Sequence, residues 1–172
     1  FLGCLITVSG QVKKLDSLNA LLRVNPSEDS SRVNLLIEYS DILKSSNPDS
    51  AIQLAQTAYD IAVEIDYIKG QGWALNRLSG GYWMLGRFPE ALKLSFDALK
   101  IFEKIDDNKG IGQSYNSIAN TYNMENDLPR ALVYYNKSIK IYEGLDDSYN
   151  INRAYANIGR THYMLGEYTL AL

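Results

Sequence analysis

A stretch of thirty-nine residues, Lys69 to Asp107, is written twice: moved forward by forty positions it falls on Lys109 to Asp147 with fourteen identities. These are Lys69, Gly70, Gly72, Asn76, Tyr82, Met84, Pro89, Ala91, Leu92, Lys100, Ile101, Glu103, Asp106 and Asp107. Other positions keep their type, as Phe102 against Tyr142 and Ile105 against Leu145. An internal period of this size constrains the fold strongly, because it signals supersecondary units stacked side by side in place of one closed globule.

Each unit reads as helix, short turn, helix. In the first, Val33, Leu36, Ile37 and Leu43 form a helical stripe over Arg32 to Lys44, and Asn47-Pro48 restarts a helix with Asn47 as cap. Ala51, Ile52, Ala55, Ala58, Tyr59 and Ile61 then form a buried stripe that lands, forty residues on, upon Ala91, Leu92, Ser95, Ala98, Leu99 and Ile101. Asp66 and the pairs Asp106-Asp107 and Asp146-Asp147 stand where new units begin and suit helix capping. Gly86 and Asn126, which tolerate positive φ, mark the turns inside units. The expected layout is a helical array over 30–172, in units of about 30–66, 67–106, 107–146 and 147–172, the last one incomplete. A capping helix and loop precede it at 11–29, carried by Val12, Leu15, Leu18, Leu21 and Leu22. Residues 1–10 are apolar up to Val8, then small and polar, which reads as the remnant of a secretory signal. The chain starts at Phe1 and stops inside a repeat, so it is read as a piece of a longer protein.

Ala74-Leu75, Leu78, Tyr82, Gly86-Arg87-Phe88, Ala91-Leu92 and Ala98-Leu99 give the units a family likeness. The pattern resembles the tetratricopeptide repeat, in which large residues of the first helix meet a small residue early in the second. Ala51, Ala91, Ala131 and Ala171 hold that small site, and Ala58, Ala98 and Ser138 hold the next one. Tyr82, Tyr122 and His162 match the family's aromatic late in the first helix. The resemblance implies an all-α fold, an α/α superhelical solenoid of helix-turn-helix hairpins. The period departs from the family's usual 34 residues, and Glu103 and Glu143 stand where a proline normally ends the unit, so longer helices are expected. The forty-residue form is similar to extracytoplasmic repeat regions of bacterial signalling proteins. That likeness, with the signal-like start, implies an extracytoplasmic, periplasmic location, or a cytoplasmic one if residues 1–10 are not a signal.

The formal charge of −3 gives no basic surface for nucleic acid. A 46% hydrophobic content is that of a packed chain, and the first apolar run is too short to span a bilayer. Cys4 is the only cysteine, which excludes an intrachain disulfide or a thiolate metal site. His162 is the only histidine and occupies a repeat-packing position. Gly70-x-Gly72 and Gly110-x-Gly112 open helices without a preceding strand or third glycine, which speaks against a phosphate loop. No catalytic group, cofactor or metal is expected, so the segment is read as non-enzymatic.

Function is then sought on the face of the first helices that packing leaves free. By spacing this face takes Trp73, Asn76, Arg77, Gly80 and Trp83, then Gln113, Asn116, Ser117, Asn120 and Asn123, then Arg153, Asn157, Arg160 and Tyr163. Asn76 and Asn116 lie one period apart, and amides, which both donate and accept, suit an extended peptide backbone. Arginines suit a carboxylate, and tryptophans suit apolar anchoring. Met84, Met124 and Met164 recur at the period and read as repeat packing. The expectation is a protein or peptide segment held in a concave groove, in the N-terminal sensing or docking region of a bacterial signal-transduction protein. The alternatives are a constitutive scaffold, or an accessory region of an enzyme whose catalytic module lies beyond residue 172.

Overall fold

Eight α-helices follow one another through the described residues, and no strand occurs among them. The computed structural model describes residues 13–22, 24 and 27–167; the signal expected at 1–10 lies outside them. Residues 13–22 form α1, inside the expected capping segment. Then come α2 (Ser30–Leu43), α3 (Pro48–Glu64), α4 (Ile68–Met84), α5 (Phe88–Lys104), α6 (Asn108–Met124), α7 (Leu128–Glu143) and α8 (Ser148–Leu165). Helices of 17 residues, such as α4 and α6, stand about 25 Å tall.

The helix ends explain the acidic junctions. Asp29, Asn47, Asp107, Asp127 and Asp147 each accept a hydrogen bond from the backbone N–H three residues on, which satisfies a donor the helix start leaves open. The aspartate before the cap has a different task. Asp66, Asp106 and Asp146 take left-handed φ values of 54°, 53° and 53°, and Asn126 and Gly86 do the same inside hairpins. Aspartate and asparagine tolerate that conformation better than other side chains do. So Asp66, expected as a cap, instead turns the chain, and Tyr67 opens α4 without a side-chain cap.

Small residues let the hairpins close. Ala51, Ala91, Ala131, Ala58, Ala98 and Ser138 have no exposed surface. The glycines of Gly70-x-Gly72 and Gly110-x-Gly112 have a packing duty too. A Cβ at Gly110 would sit 2.3 Å from the Phe102 ring, and one at Gly112 would sit 2.9 Å from Tyr142. Phe102 and Tyr142, 0% and 1% exposed, are therefore wedged between units against bare backbone.

The first helix of the first unit, α2, is one residue out of register with the rest. Ser40 Oγ donates to Ala51 O at 2.8 Å, and Ser79 Oγ donates to Ala91 O at 2.9 Å. Ala51 and Ala91 are forty apart, but the two serines are thirty-nine apart. Structurally, then, Asp41 corresponds to Gly80, Asn120 and Arg160.

Consecutive helices pack pairwise from α2 to α8. Beyond that, α2 packs closely on α4, α4 on α6 and α6 on α8, whereas α3, α5 and α7 stand further apart, α5 reaching α7 through the Phe96 and Tyr134 rings, edge to face at 6.0 Å. The first helices thus form a continuous inner wall and the second helices a more widely spaced outer layer. Among the described residues no helix is long and apolar enough to cross a membrane.

Candidate functional site

The inner wall is tied together by polar bonds between successive first helices. Arg77 Nη1 lies 2.9 Å from Asp41 Oδ1, joining α4 to α2. Ser114 Oγ donates to Asn76 Oδ1 at 3.3 Å, joining α6 to α4. Between α8 and α6, Arg153 Nη2 donates to Gln113 Oε1, Asn157 Nδ2 to Asn120 Oδ1, and Asn123 Nδ2 to Thr161 Oγ1. Tyr135 of α7 reaches through to donate its hydroxyl to Asn120 Oδ1 at 2.7 Å.

One rung is missing. The positions that pair as Asp41 with Arg77, and again as Asn120 with Asn157, are Gly80 and Ser117 at the central step. Glycine has no side chain to offer, and a Cβ there would meet only Lys44 Cδ, at 3.9 Å. A cavity of about 360 Å³ opens around this gap.

Twelve of the fourteen residues singled out by spacing line it: Asn76, Arg77, Gly80, Trp83, Gln113, Asn116, Ser117, Asn120, Asn123, Arg153, Asn157 and Arg160. Two do not. Trp73 points into the core between units, its ring 5.2 Å from Phe102 in an edge-to-face contact. Tyr163 is 64% exposed and lies away from the cavity. Spacing alone missed Lys44, Ser79, Thr121 and Tyr135, which also line it. The methionines correct a second reading: Met84 and Met124 are 39% and 52% exposed and border the cavity instead of filling a core.

Electrostatically the cavity is the reverse of the acidic chain around it. Lys44, Arg77, Arg153 and Arg160 line it, and Asp41 stands against Arg77 and Lys44. Burial pulls the Arg77 guanidinium below its ordinary pKa; Asp41 opposes that, and the Arg153 charge adds to it. Burial pushes the Asp41 carboxyl up, but Arg77 and Lys44 outweigh it and hold the group below the usual carboxylate range. Among the described residues no three His, Cys, Asp or Glu side chains gather as metal ligands. His162 Nδ1 lies 2.7 Å from Glu167 Oε2 at the end of α8, outside the cavity.

A sequence profile of the tetratricopeptide repeat matches residues 70–144. Over those residues the chain is a tetratricopeptide-repeat array. Repeats of this kind are protein-interaction modules, not catalysts, and the hairpins on either side of the matched residues continue the same stacking. None of the curated protein sequences compared with the chain matches it. Solved structures do. A Rap protein complexed with competence and sporulation factor superposes with a TM-score of 0.86 at 15% identity, over 96% of this chain and 47% of that one. BtubC from P. vanneervenii gives 0.73 at 19% identity, over 95% of this chain and 67% of that one. A signal transduction ATPase with numerous domains, with a tetratricopeptide repeat sensor, from Pyrococcus horikoshii gives 0.66 at 17%, over 81% and 22%. At these identities the likeness is one of fold. The chain spans about half of the Rap protein and under a quarter of the ATPase.

Proposed function

We propose that this repeat array holds a peptide or protein segment along its inner wall, and serves as the sensing or docking region of a bacterial signalling protein outside the cytoplasm. The observation that carries the reading is the cavity at the missing rung. It is concave, floored by helices, and mixes amides, guanidiniums, an indole and methionine edges, the chemistry that peptide recognition uses. The Rap protein of matching fold was crystallised with competence and sporulation factor, and the repeats of the Pyrococcus horikoshii ATPase are described as a sensor. Both descriptions support a recognition role for the same architecture here.

The double variant Asn116→Ala with Trp83→Ala tests it, because both side chains line the cavity and neither supplies a cross-wall tie. Affinity for pooled degenerate pentapeptides should fall by roughly tenfold or more, with helical circular dichroism unchanged. A variant that binds as the parent does removes the groove reading. If binding fails instead on Lys93→Glu, an exposed residue of the outer α5, the array acts as a scaffold through its outer surface.

A further inference from the structure

The outer layer carries its charge unevenly. On α3 the charged side chains are Asp49, Asp60 and Glu64, all exposed, and the helix has no lysine or arginine. On α5, Lys93, Lys100 and Lys104 balance Glu90, Asp97 and Glu103. On α7, Arg130, Lys137 and Lys140 stand against a single acid, Glu143. The layer therefore runs from a net −3 on α3, through zero, to +2 on α7. Apolar exposure picks out the same two ends. Of the large hydrophobic side chains on these three helices, Val63 on α3 and Val133 on α7 are the exposed ones, at 46% and 52%.

Each valine sits inside a patch of one charge. Asp60, Val63 and Glu64 stand at i, i+3 and i+4 on α3, and Val133, Lys137 and Lys140 at i, i+4 and i+7 on α7, so each trio shares a helix face. Asp60 accepts a hydrogen bond from the Gln56 amide, and neither it nor Glu64 pairs with a cation among the described residues. Lys137 is the counterpart. Its Nζ lies 4.9 Å from the Tyr134 ring centroid and 5.4 Å from that of Tyr115, and no carboxylate pairs with it among the described residues. Two ring faces already hold that ammonium, so it has less rotamer freedom to lose when an anion arrives. The basic patch asks for an acidic helix with an exposed aliphatic residue, and the chain itself carries one. We propose that α7 of one copy docks on α3 of another, Lys137 and Lys140 meeting Asp60 and Glu64 around the two valines. Like charge opposes α3 on α3 and α7 on α7, which leaves the unlike pairing. The two patches differ, so the contact is heterologous and copies add head to tail. It uses the outer layer and does not depend on what the inner wall holds.

Light scattering on the whole chain tests the docking. The mean mass should climb above that of a monomer between about 10 μM and 1 mM protein. It should fall back when salt is raised from about 0.1 M to 1 M, because the reach of charge shrinks from roughly 10 Å to 3 Å. The double variant Lys137→Glu with Lys140→Glu should stay monomeric, and so should Asp60→Lys with Glu64→Lys. All four positions are exposed, so helical circular dichroism should not change. An equal mixture of the two double variants should associate again, since the acidic α7 of one meets the basic α3 of the other. Misfolding cannot produce that rescue. A parent chain that stays monomeric throughout overturns the proposal. A parent that associates just as well with either pair of charges reversed places the contact elsewhere and also overturns it. If the mixture fails to associate, the α3–α7 pairing is wrong. If the parent stays monomeric yet binds poly-L-glutamate, and reversing Lys137 and Lys140 removes that binding, the acidic partner is a different molecule and self-docking falls.

Discussion

Tyr135 and Tyr142 lie two turns apart on α7, and burial pushes both phenols up to about 12. An unfolded tyrosine titrates near 10, so the folded state holds these protons more tightly. The stabilisation is complete below about pH 10 and drains away as pH rises from there through the folded value. The urea midpoint should therefore fall between about pH 10 and 12, and Tyr142→Phe should fall less than the parent over that interval. An identical slope for the two chains would remove Tyr142 from the account. Single residues were also where the sequence was least legible. Asn76 stood out because it recurs without an evident packing role; the structure gives its oxygen such a role, in the bond from Ser114, and leaves only its nitrogen for the cavity. Trp73 has the same helical spacing as the cavity residues, yet it turns to Phe102 on the following helix, and a helical-wheel argument carries no information about that neighbour.

At the scale of elements, the repeat was legible because its small sites and turns recur every forty residues in one dimension, and the contacts they make are to adjacent helices. The one-residue offset of α2 was not, since its evidence is a pair of hydrogen bonds, from Ser40 and from Ser79, and not a matching string. That offset is what sets Asp41 opposite Arg77. The helix glycines illustrate how two identical letters differ in duty. Gly110→Ala would drive a methyl into the fully buried Phe102 ring, an overpacking cost of about 1–3 kcal/mol that exceeds the gain of about 1 kcal/mol in helix propensity. Gly80→Ala makes only an ordinary contact, with Lys44 Cδ at 3.9 Å, so it should stabilise by about 0.5–1 kcal/mol. Denaturant midpoints should move in opposite directions for the two variants; movement in the same direction would contradict the assignment of one glycine to packing and the other to the cavity.

Across the whole molecule each unit leans only on its neighbours, so stability should vary along the array and not be uniform. Amide hydrogen exchange is expected to be slowest in α4 and α6, which are flanked on both sides and carry the longest runs of buried residues. It should be faster in α8, where only Ala154 and Thr161 are buried. Equal protection of α8 and α6 would show a cooperative unit larger than nearest neighbours. The location of the array relative to a membrane, and whatever it reports to, are properties that no helix face encodes, which is why the sequence yielded architecture more readily than biology. The wider spacing of α3, α5 and α7 has a mechanical consequence. A coil whose inner rail is closely bonded and whose outer rail is held more sparsely, as by the Phe96–Tyr134 ring contact, bends more easily about the inner rail, so its pitch follows the rungs. At the centre of this coil a rung is absent, and the molecule's length is adjustable there by whatever fills it.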